Sequence, residues 1–599
     1  MIRLSVLRGL VLVAALGAAL PARALDAVVF RAPGADAALE EALRAASSVL
    51  AAQRDGTTDG QDVFAAARAE YARLLGTLYA FGHYSGVITV RVDGREAASI
   101  APLDAPAQVA RVEVTVEPGP RFVFGRARIG PLAAGTDLPR GFAPGAVAES
   151  GQVAEAAEAA VAGWRDAGHA KAAVTRQDIV ADHASATLDA DLGVAAGPRL
   201  RFGPLVLRGY DRMRPRRLAK IAGLPEGEVF SPAELDRAAE RLRRTGVFRS
   251  VTLAEDEQIT APDLLGITAT VVEEAPRRYG FGGEIASFDG ATVSGYWLHR
   301  NLLGGAERLR IEGRAAQIGA QESGPDYRLG VTLDRPATIT ADTTASLHAE
   351  VERLDEADFT SDTLGAGLSF THYFSNRLTA RVGAEYQWSR VEDIVRTQVY
   401  RNVALPVGVT WDRRDNALDA TRGFYVDAEA KPFLGLGVTD SGLRLWMDAR
   451  AYRSLGEARR FTFAGRVQAG AVLGSSLLGT PRDMLFYSGG GGTVRGQPYQ
   501  SLGVNVLRTD FRTGGQAFLG LSGEVRAQVT DNIGVVGFVD AGHVGALGFF
   551  DDLGDWHAGA GLGLRYATGF GPIRLDVAAP VGGDTGEGVQ IYVGIGQAF

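Results

Sequence analysis

Cysteine is absent from the 599 residues, which excludes disulfide stapling, thiol catalysis and cysteine-ligated zinc. Basic charge is also short: 62 Lys and Arg stand against 70 Asp and Glu, a formal net charge of -8. Phosphate binding needs the opposite balance, so the sequence points to no nucleic acid partner. After residue 24 no uncharged apolar run reaches the ~20 residues of a spanning helix, so any membrane crossing must use strands. The sequence contains no His-Glu-x-x-His helix, no Gly-x-Ser-x-Gly elbow and no Gly-x-x-x-x-Gly-Lys loop, and its eight histidines are scattered. Nothing here calls for an enzyme, a metal or a cofactor.

The first positive signal is N-terminal. Arg3 and Arg8 precede an apolar run from Leu10 to Leu20 and the small-x-small triplet Ala22-Arg23-Ala24, the pattern of a secretory signal peptide over residues 1–24. Glycine is abundant, 77 residues, without a collagen period. It gathers in the second half among alternating apolar residues, as strand and turn residues do.

Residues 25–276 read as three α/β repeats, 25–118, 119–196 and 197–276. Gly119-Pro120-Arg121-Phe122-Val123-Phe124-Gly125 is echoed by Gly197-Pro198-Arg199-Leu200-Arg201-Phe202-Gly203. Amphipathic helices are expected over 62–81, 153–167 and 232–245, each followed by a glycine (Gly82, Gly168, Gly246) suited to a left-handed C-terminal residue. Two alternating strands follow each helix, so each repeat is expected as strand, helix, helix, strand, strand. The edges of such sheets are open to an incoming extended chain; the same repeats would serve equally as spacers.

From Arg277 the period changes from helical to two. Val589, Ile591, Val593 and Ile595 share one parity and Gln590, Tyr592, Gly594 and Gly596 the other; Ile573, Leu575 and Val577 likewise oppose Arg574 and Asp576. One face suits lipid and the other a wet lumen, the signature of a membrane β-barrel, and about 320 residues at roughly 20 per strand give ~16 strands. The fold class expected is thus α+β repeats followed by an all-β transmembrane barrel of antiparallel strands over 277–599. A soluble sandwich would not need a polar face on nearly every strand.

Within this stretch Gly489 to Gly492 lead into Val494-Arg495-Gly496-Gln497-Pro498-Tyr499, one cation on a glycine-rich loop. In Gly537-Phe538-Val539-Asp540-Ala541-Gly542 the uniformly apolar parity belongs to lipid, which turns Phe538, Asp540 and Gly542 inward. A guanidinium can bind such a carboxylate at two points, and Gly559, Gly561 and Gly563 would leave room for the loop. Solvated lumen charges with no specific pairing are the alternative.

These stretches, with His299-Arg300-Asn301-Leu302-Leu303-Gly304-Gly305, Trp411-Asp412-Arg413-Arg414-Asp415 and Gly571-Pro572-Ile573-Arg574-Leu575-Asp576, resemble the superfamily of outer-membrane insertases and transporters that includes BamA and TamA; the repeats resemble POTRA domains. Three repeats make the TamA branch, the translocation and assembly module, the nearest resemblance. Gln497 departs from the aromatic residue usual after Arg-Gly, a packing role that Tyr499 could fill. The resemblance implies a sixteen-stranded outer-membrane barrel with its repeats in the periplasm and an inward loop latched by Arg495 to Asp540. It also implies a weak seam between first and last strands, marked by Gly280, Gly282, Gly283, Gly594 and Phe599. Cysteines at Gly282 and Gly594 are expected to crosslink that seam. The function implied is insertion or translocation of client outer-membrane proteins such as autotransporters, with the lipid bilayer and a TamB-like inner-membrane-anchored protein as partners. The alternative is a secretion pore conducting unfolded chains through the lumen.

Overall fold

The computed structural model describes residues 27–599 except 58, 261, 287–289, 321–322, 457–459, 507–511, 550–553 and 570; the expected signal peptide lies outside the described residues. The chain forms two compact units. One holds residues up to 202 with 227–232 and 259–265, the other residues 203–226, 233–258 and 266–599.

The first unit begins with Ala27–Arg31, three helices (Ala37–Ala46, Ser48–Arg54, Gly60–Ala80) and strands Val87–Val92, Arg95–Glu96 and Arg111–Glu117. The chain's return strand, Arg111–Glu117, lies between Val87–Val92 and the opening strand, which it meets in parallel. Val63, Ala67, Leu74 and Leu78 on the long helix pack on Val90, Val112, Val114 and Val116, a helical stripe against one face of period-two strands. Next come Val123–Gly130, one helix Ser150–Asp166, and strands Ala173–Asp182 and Thr187–Ala195, again with the last strand central. The second helix expected in this repeat does not form. Residues 131–149 carry Pro131, Pro139 and Pro144 among three glycines and make turns instead, because each proline removes a donor and disfavours helix in its predecessor. Gly82, Gly168 and Gly246 all have positive φ at their helix ends (+81°, +97° and +68°).

A third repeat runs Arg201–Arg208, Pro215–Ala222, Pro232–Arg244, Phe248–Thr260 and Leu264–Glu273, with the same strand order. Its helices grip turns of the barrel. Arg241 donates to both oxygens of Asp342 at 3.0 and 2.7 Å, Arg244 adds a bond at 3.0 Å, and Arg217 donates to the carbonyl of Pro336 at 2.6 Å.

The barrel is closed and antiparallel, from Arg277–Ala286 to Gln590–Ile595. Two of its segments, Thr397–Ala404 and Val407–Asp412, are halves of one strand, because both pair with Leu378–Asp393 and with Arg422–Gly435 in unbroken register. With these joined the barrel has sixteen strands. Pro406 causes the break: Gly383 donates to the Pro406 carbonyl and Leu405 to the Pro432 carbonyl, but neither proline has an N–H to return the bond. Leu521, Val525, Val535, Val539, Leu562, Leu564, Leu575, Val577 and Ile591 are exposed on the outer wall, and their inner neighbours Glu524, Arg526, Asp540, Arg565 and Asp576 are buried. An apolar exterior over a charged interior is the arrangement a bilayer requires.

Candidate functional site: the lumen latch and the seam

The connection between strands Phe461–Leu473 and Ala517–Gln528 returns into the lumen. Gly489, Gly490 and Gly496 adopt positive φ (+117°, +85° and +93°), which suits residues without a Cβ. The loop then closes on itself: the Thr493 hydroxyl bonds the Gly489 backbone on both sides, and Gly490 N–H donates to the Gln497 carbonyl at 2.9 Å. This turn delivers Val494, Arg495 and Gln497 to the barrel wall, each at most 2% exposed.

Arg495 and Asp540 meet through three bonds. Nε donates to Oδ2 at 2.8 Å, Nη2 to Oδ1 at 3.1 Å, and the Arg495 backbone N–H to Oδ2 at 3.1 Å. The guanidinium lies 3.6 Å from the Phe538 ring centroid, a cation–π contact. Two further carboxylates complete the site: Nη1 contacts Glu524 at 2.7 Å and Asp576 at 3.4 Å. Glu524 is shared with Arg526, and Asp576 with Arg565. Three buried carboxylates therefore face three guanidiniums in a closed network, the condition under which buried charge is tolerated.

The glycines divide their work. A Cβ at Gly559 would strike the Arg495 carbonyl, and one at Gly542 would strike Ser488 and Val494; these two admit the loop. Gly561 instead clears the Phe538 ring and the Val577 carbonyl, and Gly563 clears Asp576 and Arg565, so they make room for the wall's own side chains. Gly496 donates to the Tyr592 hydroxyl on the last strand at 3.2 Å.

Tyr499 does not take the packing role expected of it. It is 41% exposed and accepts a bond from Gln500 at 2.9 Å. Gln497 occupies the buried position, donating to the Ala558 and Gly582 carbonyls at 2.8 and 3.1 Å and accepting from Thr585 at 3.0 Å. An amide suits the position because its surroundings are two backbone carbonyls and a hydroxyl, to which an aromatic ring offers no matching donor and acceptor.

The seam is short. Among the described residues, the first strand pairs with its neighbour over ten residues and with the last strand through Ile285↔Val593 and Ala286↔Tyr592, while 277–284 have no partner on the last-strand side. Gly280 and Gly282 lie on its inner face, and Gly283 on the outer. Gly280 is not a packing defect: the Tyr296 ring occupies the space its side chain would take. Gly594 sits on the last strand opposite Arg574. Phe599 is not at the seam. After Gly596 (φ +91°) the chain turns into the lumen, where Gln597 bonds Arg565 and Asp419 at 2.7 and 2.9 Å. Arg526 donates to the Phe599 carbonyl at 3.1 Å, and the ring packs with Ala420, Tyr452 and Ala464. Register also puts Ile285 opposite Val593, so Gly282 and Gly594 are not facing partners for a crosslink.

Sequence reasoning missed Glu524, Arg526, Arg565 and the pairing of Asp576. Their inward parity was readable. What was not readable is the register that sets Ser522, Asp540 and Gly559 in one row, with Glu524, Phe538 and Gly561 in the next.

A helix-and-sheet module leading into a closed sixteen-stranded barrel, with its longest loop bound inside, defines a class of membrane barrel carrying soluble repeats. Residues 301–599 match the Omp85 superfamily domain, and residues 200–274 match the POTRA family, a surface antigen variable number repeat. The chain belongs to the Omp85 superfamily. It is 24% identical over 393 residues to the outer membrane protein assembly factor BamA of Nitratidesulfovibrio vulgaris, covering 63% of this chain and 48% of that one; it thus spans about half the length of that relative. Among solved structures, BamA from Haemophilus ducreyi lacking POTRA domains 1-3 superposes with a TM-score of 0.61 at 18% identity, over 80% of this chain and 100% of that one. CdiB from Acinetobacter baumannii gives 0.52 at 10% identity, over 80% and 90%. At these identities the structural likeness is one of fold.

Proposed function

We propose that this chain is an outer-membrane assembly factor, with its repeats in the periplasm, that inserts or translocates client outer-membrane proteins by templating strand addition at the seam. The reading involves no covalent chemistry. The edge of the first strand over residues 277–284, which faces no paired residue of the last strand, carries it. Each backbone hydrogen bond contributes a net ~0.5–1.5 kcal/mol, and residues 277–284 present an edge that makes none of these to the last strand. An open edge in hydrocarbon has no water to satisfy it, so an incoming strand is its natural partner. The name of the curated relative, an assembly factor, supports the same reading. Within it, autotransporters are the client class and a TamB-like protein the periplasmic partner that the TamA-like repeat number suggests, docking on the first repeat.

The loop weighs against the other reading, conduction of unfolded chain through the lumen. Arg495 and its three carboxylates would have to separate before a polypeptide could pass on that side.

The test uses the register. Residues directly opposite in antiparallel strands have Cα atoms about 4.5–5.5 Å apart, within disulfide range. The double variant Ile285→Cys with Val593→Cys, in a chain without other cysteines, is expected to close the seam on oxidation and to stop client insertion into proteoliposomes until reduced. Full insertion by the oxidised protein would refute the lateral route.

A further inference from the structure

The seam's backbone pairing is supplemented by a side chain that crosses an entire strand. Arg574 lies on the penultimate strand, facing inward. Its direct neighbour on the last strand is Gly594, and the pairing Ile285↔Val593 carries the same row on to Glu284 of the first strand. Two inter-strand steps of about 4.8 Å separate the Arg574 and Glu284 backbones, a span that an extended arginine and a glutamate can bridge only if nothing stands between them. Nothing does: Arg574 Nη2 donates to Glu284 Oε1 at 3.1 Å. A Cβ built on Gly594 would sit 3.0 Å from Nε and 3.4 Å from Nη2, in the path of the side chain.

The surroundings direct Arg574 toward the seam. On its other side the facing residue is Arg565, and like charges directly opposite each other repel. Arg565 is committed elsewhere, to Asp576 and Gln597. That leaves Glu284 as the carboxylate paired with Arg574. Both residues border a polar lumen cavity of about 650 Å³ that also reaches Tyr592 and Tyr499.

We propose that Arg574 and Glu284 form a clasp across the seam, passing through the gap left by Gly594, and that this clasp sets how often the first and last strands part. The inference rests on the reading of the seam as the client route, but its own test does not. In the Ile285→Cys, Val593→Cys protein, the rate of disulfide formation under mild oxidant reports how much of the time the two strands are paired. Glu284 is partly exposed, so the effect of one ion pair is modest. Arg574→Gln and Glu284→Gln are each expected to lower the trapping rate about two- to fivefold. The two together should lower it no further, and Gly594→Val, which obstructs the path while leaving both charges, should match them. High salt should slow trapping in the parent and leave the Gln variants unaffected. Arg574→Lys, with a shorter reach and one donor point, should fall between.

Equal trapping rates in the parent and all these variants, with normally folded barrels on heat-shift gels, would overturn the clasp and leave the lateral route untouched. Slower trapping with client insertion unchanged would establish the clasp and remove the lateral route. Slower trapping with altered insertion supports both.

Discussion

Replacing Arg495 by alanine unbalances the lumen network in a calculable direction. Asp540, Glu524 and Asp576 are at most 3% exposed as residues, and after the substitution they share only Arg526 and Arg565. Removing one partner of a buried ion pair costs about 3–5 kcal/mol. The loop keeps its other anchors: Gln497 to the Ala558 and Gly582 carbonyls, Gly496 to Tyr592, and the Gly492 carbonyl accepting from Arg466 at 3.1 Å. The lower end of the range is therefore appropriate, and about 3 kcal/mol corresponds to roughly a hundredfold in the docking equilibrium. Val494, fully buried beside the arginine, supplies the reporter. A Val494→Cys protein should react slowly with a water-soluble maleimide, and adding Arg495→Ala should raise the rate about a hundredfold while the barrel still shifts on heating in gels. Exchanging the charges, Arg495→Asp with Asp540→Arg, should recover little, because the new carboxylate would face Glu524 and Asp576 and the backbone bond to Asp540 would be lost. Labelling as slow in Arg495→Ala as in the parent would refute the claim that the network docks the loop.

Gly559→Val should undock the loop with the latch charges intact, since its side chain would meet the Arg495 carbonyl; overpacking of about 1–3 kcal/mol predicts a rise of about five- to a hundredfold in the same labelling rate. Asp342 anchors the third repeat to a barrel turn, and although burial opposes it, the bonds and charges of Arg241 and Arg244 hold its carboxyl below the usual range. A depressed folded value means the grip is fully present above the ordinary carboxylate pKa of about 3.9 and is lost as pH falls through the folded value. Hydrogen exchange in the helix Pro232–Arg244, which carries Arg241 and Arg244, should accordingly be constant from pH 8 to 5, after correction for intrinsic rates, and Asp342→Asn should raise it throughout that window.

How far the sequence could be read depended on whether a feature was periodic. Parity alone turned Asp540 inward and Val539 outward, and the same alternation marks the strands from Arg277 to Ile595. Helix ends were legible through Gly82, Gly168 and Gly246, because few other residues tolerate that backbone. Features set by a single local chemistry were harder. The turns at 131–149 replaced a helix expected from repeat symmetry, and the prolines there were the available warning. The inward turn of Phe599 depends on Arg526 and Arg565, residues distant in sequence. Glu524 and Asp576 joined the latch through register, which no strand carries in its own residues. Tyr499 was favoured as an aromatic, but the buried position is ringed by carbonyls that only an amide donor such as Gln497 answers.

The interrupted strand, Thr397–Ala404 with Val407–Asp412, is the eighth of sixteen, half a circuit from the seam. Pro406 and Pro432 sit there on adjacent strands, and each leaves its cross-strand pair with one bond where two would form. Mechanically the barrel is a hoop with a partly unpaired join on one side and a thinned section diametrically opposite. A hoop of that kind spreads by flexing at the thin section, which spares the stiffer arcs between. Widening the seam would then bend the wall about the two prolines and leave the latch, on strands close to the join, to travel as a rigid piece.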